Sequence, residues 1–206
     1  MTDLSSLEEF NRYYSTGGNP PVTRSLLDFF RTCVKERMPE KARILELGSG
    51  TRSLFEEVSL PRERVTAIDF SSVAIERARA LGSPIEYKNL DITFPDALEG
   101  EKFDVIFDSH CLHCIDNRAA RVSAFKNIHD ALSEEGIFCA EMMVQPAHNS
   151  VSFPMKFIPT ARELEEEILK HDFQIIYFMI GRGLSFENGN QECDLLRVIA
   201  KRKTSA

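Results

Sequence analysis

Arg43-Ile44-Leu45-Glu46-Leu47-Gly48-Ser49-Gly50-Thr51 is the stretch whose reading decides the fold. A short apolar run carries one acid and ends in two glycines separated by a single residue. Such a run predicts a buried strand, 43–47, that breaks into a tight turn where the backbone comes very close to a neighbour. Glycine permits this because it has no Cβ and tolerates positive φ. A helix is expected over 52–58, its first N–H groups aimed at a ligand. Strand, glycine turn and helix in this order make a nucleotide-type binding corner.

Working outward, the chain alternates. Strands are predicted at 64–69, from Ile85, at 103–108 and at 137–143, and helices at 71–81, 117–133 and from Thr160 to about Lys170. Thr160 and Glu163 have the spacing of a capping box. Ahead of the corner, 21–37 has helical periodicity behind Asn19 and Pro20-Pro21, and Leu7 to Tyr14 forms a further short helix. Two β runs, 173–180 and 192–201, finish the chain, with Asn188-Gly189-Asn190 in the turn region between them. Repeated β-α-β units imply a parallel sheet with helices on both faces, and a terminal hairpin adds an antiparallel strand.

The chain has 206 residues, 43% of them hydrophobic, which suits one globular domain. No apolar run reaches the roughly 20 residues needed to span a bilayer, and the acidic N-terminus is no signal peptide. A cytoplasmic protein is expected, with no membrane partner. A net charge of −7 disfavours a nucleic-acid surface. Five scattered cysteines fit reduced thiols better than a disulfide framework.

In open α/β sheets ligands bind beyond the carboxyl ends of the strands. Asp69 ends the second strand about 20 residues past the glycines, where a carboxylate accepts ribose hydroxyls. NAD and S-adenosylmethionine sites share that feature, and two details separate them. The dinucleotide fingerprint wants a sixth-position glycine, and this chain has Ser53. Glu46 would repel a pyrophosphate but attract the ammonium and sulfonium of S-adenosylmethionine. The choice of sign favours S-adenosylmethionine.

Glu46-Leu47-Gly48-Ser49-Gly50-Thr51, Asp69 with its following helix, Asn89-Leu90-Asp91-Ile92, Phe103-Asp104-Val105-Ile106 leading to Leu112-His113, and the last antiparallel strand together resemble the class I S-adenosylmethionine-dependent methyltransferases. The resemblance runs from about residue 40 to the C-terminus. It implies an α/β fold: a Rossmann-like, seven-stranded, mostly parallel sheet with helices on both faces and a C-terminal antiparallel hairpin strand. It further implies one domain over 1–206, with residues 1–40 a helical arm or lid on a 41–206 core.

By that resemblance, Glu46, Gly48, Ser49 and Gly50 cradle the methionine part of the cofactor, and Asp69 with Phe70 meets the ribose. Asp91 and Ile92 meet the adenine, and Asp108, Ser109 and His110 line the methyl-transfer end. S-adenosylhomocysteine would be the product. Arg52 departs from the family, which often has glycine there; it turns to solvent or meets the cofactor's carboxylate.

His110-Cys111-Leu112-His113-Cys114 concentrates imidazoles and thiols, but zinc sites usually need a second, distant ligand pair, so no metal is expected. His110 has two roles open to it, a general base or a wall of the acceptor site. Asn19-Pro20-Pro21 resembles a motif of amino-methyltransferases but precedes a helix instead of following the fourth strand, so it is a decoy. Tyr13, Tyr14 and Arg24 either close over the cofactor or pack the arm. Met142, Met143, Phe153, Met155 and Phe157 either wall a pocket or fill the core, and Glu163–Glu167 is read as a solvated helix face.

The predicted activity is methyl transfer to an O, N or S nucleophile of a small-molecule acceptor, by a monomer or homodimer. A protein amine methyltransferase, a non-catalytic S-adenosylmethionine-binding protein and an NAD(P)-dependent reductase are the alternatives. No Tyr-x-x-x-Lys supports the last of these.

Overall fold

The strand that opens the corner, β1 (Ile44–Leu47), is buried along its whole length, as is β2 (Val65–Asp69). Strands covered on both faces read as continuous apolar runs, which is why the sequence marks them so clearly. The computed structural model describes residues 4–18, 22–147, 150–152, 156–185 and 192–203. Asn19-Pro20-Pro21, Phe153, Met155 and Asn188-Gly189-Asn190 lie outside them.

β3 (Glu86–Asn89), β4 (Phe103–Asp108) and β5 (Leu132–Val144) pair in parallel with β2, β1 and β4 respectively, and β6 (Phe173–Ser185) and β7 (Glu192–Arg202) complete a seven-stranded sheet in the order β3-β2-β1-β4-β5-β7-β6. β7 is antiparallel to both β5 and β6. The order reverses between β1 and β4. Ligands in such sheets bind at that point.

Helices cover both faces. α4 (Arg118–Ala131) and α5 (Ala161–Lys170) bury Phe125, Ile128, Leu164 and Ile168 against Phe138 and Phe173. On the other face α2 (Arg24–Phe29) and α3 (Ser72–Arg79) cover a core in which Phe30, Phe55 and Phe107 meet edge to face at 5.1–6.0 Å. These T-shaped contacts suit the ring quadrupoles and add to the area buried. The capping box at Thr160 and Glu163 forms as its spacing requires.

Two expected helices come out differently. The 21–37 helix is α2 followed by a wide π turn, Phe30–Val34, and a 3-10 turn, Lys35–Arg37. Thr32 donates its hydroxyl to the Asp28 carbonyl four residues back at 2.6 Å, a bond that bends helices. The 52–58 helix is a single 3-10 turn, Leu54–Glu57. Ser53 caps it, Val58 is already extended, and Pro61 follows. β5 starts at Leu132, earlier than the predicted 137, because Leu132 already pairs with Phe103 as α4 ends.

α1 (Leu4–Ser15) precedes the sheet and packs on α3. Arg77 donates to the Tyr14 and Gly18 carbonyls at 2.7 and 2.9 Å, and Ser71 donates to Asn11 at 2.6 Å. α1 thereby lies over the carboxyl end of β2. Among the described residues no helix is long and apolar enough to cross a membrane.

Candidate active site

Gly48 turns the chain at the end of β1 with φ of +70°, and its N–H and that of Ser49 both donate to the Ile68 carbonyl. A Cβ at Gly48 would lie 2.7 Å from the Cys111 Cβ. The close approach that the sequence demanded is thus to the loop after β4. Gly50, also at positive φ, donates its N–H to Asp69 Oδ2 at 2.9 Å. Ser71 N–H donates to Asp69 Oδ1 at 2.9 Å. A carboxylate has about four acceptor positions, so Asp69 holds both loops and keeps capacity for hydroxyl donors. Burial pushes its carboxyl up to about 6, and the two N–H donors restrain the rise.

Glu46 faces inward. Its Oε1 accepts from Leu54 N–H at 2.9 Å and from Ser109 Oγ at 2.7 Å, and its Oε2 accepts from Ser53 Oγ. Burial pushes this carboxyl up to about 7 against those three bonds. The turn after the glycines therefore aims its N–H groups at Glu46 and, through Ser53, at the Tyr87 hydroxyl, not at a ligand. Arg52 leaves the loop altogether: half exposed, it pairs with Glu57 at 3.2 Å.

A cleft opens at the carboxyl ends of β1, β2 and β3. Gly48, Asp69, Phe70, Asp91, Ile92 and His110 line it, all of them singled out in the sequence. Glu46, Ser49, Gly50, Asp108 and Ser109, also singled out, are not among its lining residues. Asn127 of α4 donates to the Ile92 and Phe94 carbonyls at 2.7 Å, fixing the turn that presents Asp91. Thr93 donates its N–H and hydroxyl to Asp91 Oδ1. Cys111, Cys114 and Ile115 add an apolar wall.

Phe10 and Tyr14 of α1 close the cleft from above. Phe10 meets Phe70 edge to face at 5.3 Å. Burial, with Asp69 nearby, keeps the Tyr14 phenol protonated. Tyr13 and Arg24 are exposed and do not reach the cleft. No motif marks Phe10 as a site residue; the one sequence signal for it is its place one helical turn before Tyr14.

Beyond β4, Asp108 Oδ1 accepts from Cys111 and Leu112 N–H at 2.9 and 3.0 Å, and burial raises its carboxyl to about 6. Its Oδ2, Ser49 Oγ and His113 Nδ1 are buried without a protein partner among the described residues. Burial, chiefly, holds His113 neutral. His110 adopts φ of +68°, left-handed and uncommon outside glycine, and its Nε2 lies 3.2 Å from Glu141 Oε1.

Glu163, Glu165 and Glu166 of α5 are exposed, as a solvated face requires, but Glu167 takes two bonds, 2.6 and 2.8 Å, from buried Arg121, whose guanidinium also donates to the Leu112 and Ile115 carbonyls. Glu167 is thus partly buried, and through Arg121 it braces the 112–115 loop. Met142 sits in the main core, and Met143 in a small cluster with Val151 and Ile158.

On the cleft wall itself, the spare acceptor capacity of Asp69 and the apolar Phe70 and Ile92 beside Asp91 fit the ribose and adenine of S-adenosylmethionine. Residues 45–138 match a family model described as a methyltransferase domain. No curated protein matches the chain by sequence. Among solved structures, an S-adenosylmethionine-dependent methyltransferase from Anabaena variabilis is similar at TM-score 0.74 and 16% identity, over 98% of this chain and 96% of that one. The 1,6-didemethyltoxoflavin-N1-methyltransferase of Burkholderia thailandensis, with S-adenosylhomocysteine bound, is similar at TM-score 0.71 and 19% identity, over 98% and 89%. A Methanosarcina mazei S-adenosylmethionine-dependent methyltransferase gives TM-score 0.71 and 18% identity, over 84% and 98%. The resemblance read from the glycine corner is borne out: residues 45–138 match a methyltransferase-domain model, and the chain has the fold of the class I S-adenosylmethionine-dependent methyltransferases.

Proposed function

We propose that this chain methylates an O, N or S nucleophile of a small molecule enclosed beneath its N-terminal arm. The observation that carries the reading is the placement of Phe10 and Tyr14 over a cleft that also contains Asp69, Asp91 and His110. A cleft roofed by its own chain suits a compact acceptor better than a protein surface. The Burkholderia structure contains a small-molecule acceptor beside S-adenosylhomocysteine, which supports the same reading.

In this proposal residues 1–40 are an arm on a 41–206 core, within one domain. Gly48 meets the methionine part on the cleft wall, and Ser49, Gly50, Asp108 and Ser109, which do not line the cleft, shape the two loops around it. Asp69 and Phe70 hold the ribose, and Asp91 and Ile92 the adenine. Glu46 acts from behind the cleft, setting the shape of the loop. When bound, S-adenosylmethionine supplies a methyl group on a good leaving group, so the residues chiefly orient the acceptor and exclude water. His110 stands at the acceptor end as the general base.

The experiment is incubation with methyl-labelled S-adenosylmethionine and a fractionated cell extract. Label recovered in the small-molecule fraction is the expected result. Label confined to protein contradicts the reading.

A further inference from the structure

His110 Nε2, Glu141 and Arg197 form a polar chain, buried at Glu141 and partly exposed at either end, beneath the acceptor end of the cleft. Glu141 is fully buried on β5, directly opposite Arg197 of β7 in the sheet register. Its Oε2 accepts from Arg197 Nε at 2.7 Å and from Ser25 Oγ at 2.6 Å. Arg197 also donates to the Ser25 carbonyl and hydroxyl, and its guanidinium lies over the Phe29 ring. The remaining oxygen, Oε1, faces His110 Nε2 at 3.2 Å.

An ionised carboxylate only accepts hydrogen bonds. Burial is the largest influence on Glu141 and opposes its charge, but the bonds from His110, Ser25 and Arg197 outweigh it and lower its carboxyl below the usual value. Glu141 is therefore charged, and a neutral His110 must carry its proton on Nε2. Nδ1 is then the basic nitrogen, and it has no partner among the described residues. The left-handed backbone of His110 is strained for a non-glycine residue. The Glu141 contact compensates for it and sets the ring against the cleft.

We propose that Glu141, fixed by Arg197 and Ser25, is a positioning residue that locks His110 as the Nε2–H tautomer and thereby presents Nδ1 as the base for an acceptor whose nucleophilic atom carries a proton, a hydroxyl, thiol or heteroaromatic N–H. This rests on the methyltransferase reading above. As the acceptor's lone pair closes the bond to the methyl carbon, the acceptor proton passes to Nδ1, and the electron pair of the broken C–S bond stays on sulfur. A neutral amine, which attacks through a free lone pair, needs no such base. The other titratable groups about His110 are Asp108, Cys111, His113 and Cys114 on its own segment, Tyr14 on α1, Asp69 and Asp91 across the cleft, and Glu141 and Arg197 beneath it.

The test is 15N NMR of the full chain without added ligand. The five histidines are separated by assigning His110 through loss of its signals in His110→Asn. At a pH where the ring is neutral, wild-type His110 shows the Nε2–H tautomer. The Glu141→Gln chain shows a mixture, because glutamine both donates and accepts, and Glu141→Asp restores at least part of the preference. A wild-type Nδ1–H form or an even mixture overturns the proposal. So does an unchanged Nε2–H preference in folded Glu141→Gln. Failure to bind S-adenosylhomocysteine, measured separately, would instead sink the methyltransferase reading and leave the tautomer result standing.

Discussion

Asp69 Oδ2 accepts the N–H of Gly50 at 2.9 Å, so the acid at the end of β2 and the glycine loop after β1 are one hydrogen-bonded unit. A carboxylate that orders the loop and also faces the cleft cannot be removed without affecting both. Asp69→Ala should weaken S-adenosylhomocysteine binding by roughly 1.5–3 kcal/mol, the range for bonds to a charged group, which is about tenfold to 150-fold in Kd. Calorimetry of the wild-type and variant chains measures it. Equal affinity would mean that Asp69 serves the loop alone.

Arg52→Ala should change that affinity by less than about twofold. Arg52 is not at positive φ, and its guanidinium is engaged by Glu57 on a half-exposed surface. Such pairs contribute about 0–1 kcal/mol to stability. A tenfold loss of affinity would show that the guanidinium swings back to the cofactor.

Gly48→Ala should destabilise the fold by at least about 2 kcal/mol, from a left-handed backbone and an overpacked contact with Cys111. Adding Cys111→Gly should recover the steric share but not the backbone share. Urea denaturation of the single and double variants reads this directly, and a double variant no more stable than Gly48→Ala would remove Cys111 from the account.

Glu46 gives a pH signature. Burial raises its carboxyl from the usual 4.5 to about 7, so the folded chain holds this proton more tightly than the unfolded one. The associated stability is fully present below about pH 4.5 and is lost as pH rises towards 7. Glu46→Gln removes this dependence. Its destabilisation relative to wild type should therefore be larger at pH 5 than at pH 8, by urea denaturation at each pH. A larger loss at pH 8 would mean that Glu46 is stabilised as its anion.

The fold was legible because its central strands are short, mostly apolar runs and its turns are marked by Gly48, Gly50 and Asp69. The end of β2 and the whole of β4 fall where the sequence puts them. The glycine loop misled in one respect. The order strand, glycine turn, helix suggested a helix at 52–58, but the chain is extended again by Val58 and Pro61 follows, so only a 3-10 turn capped by Ser53 forms. Charge alone showed that Glu46 belonged to the corner, not which way it points. The Glu141–Arg197 pair was hidden for another reason. The two residues are 56 apart in the chain and meet only through the β5–β7 register, which no local pattern encodes.

Calorimetric titration of the wild-type chain with S-adenosylhomocysteine, with NADH as the comparison, tests the central claim most directly. Saturable binding of S-adenosylhomocysteine, weakened in Asp69→Ala, and no binding of NADH is the predicted result. Binding of NADH alone, or of neither ligand at millimolar concentration, would contradict it.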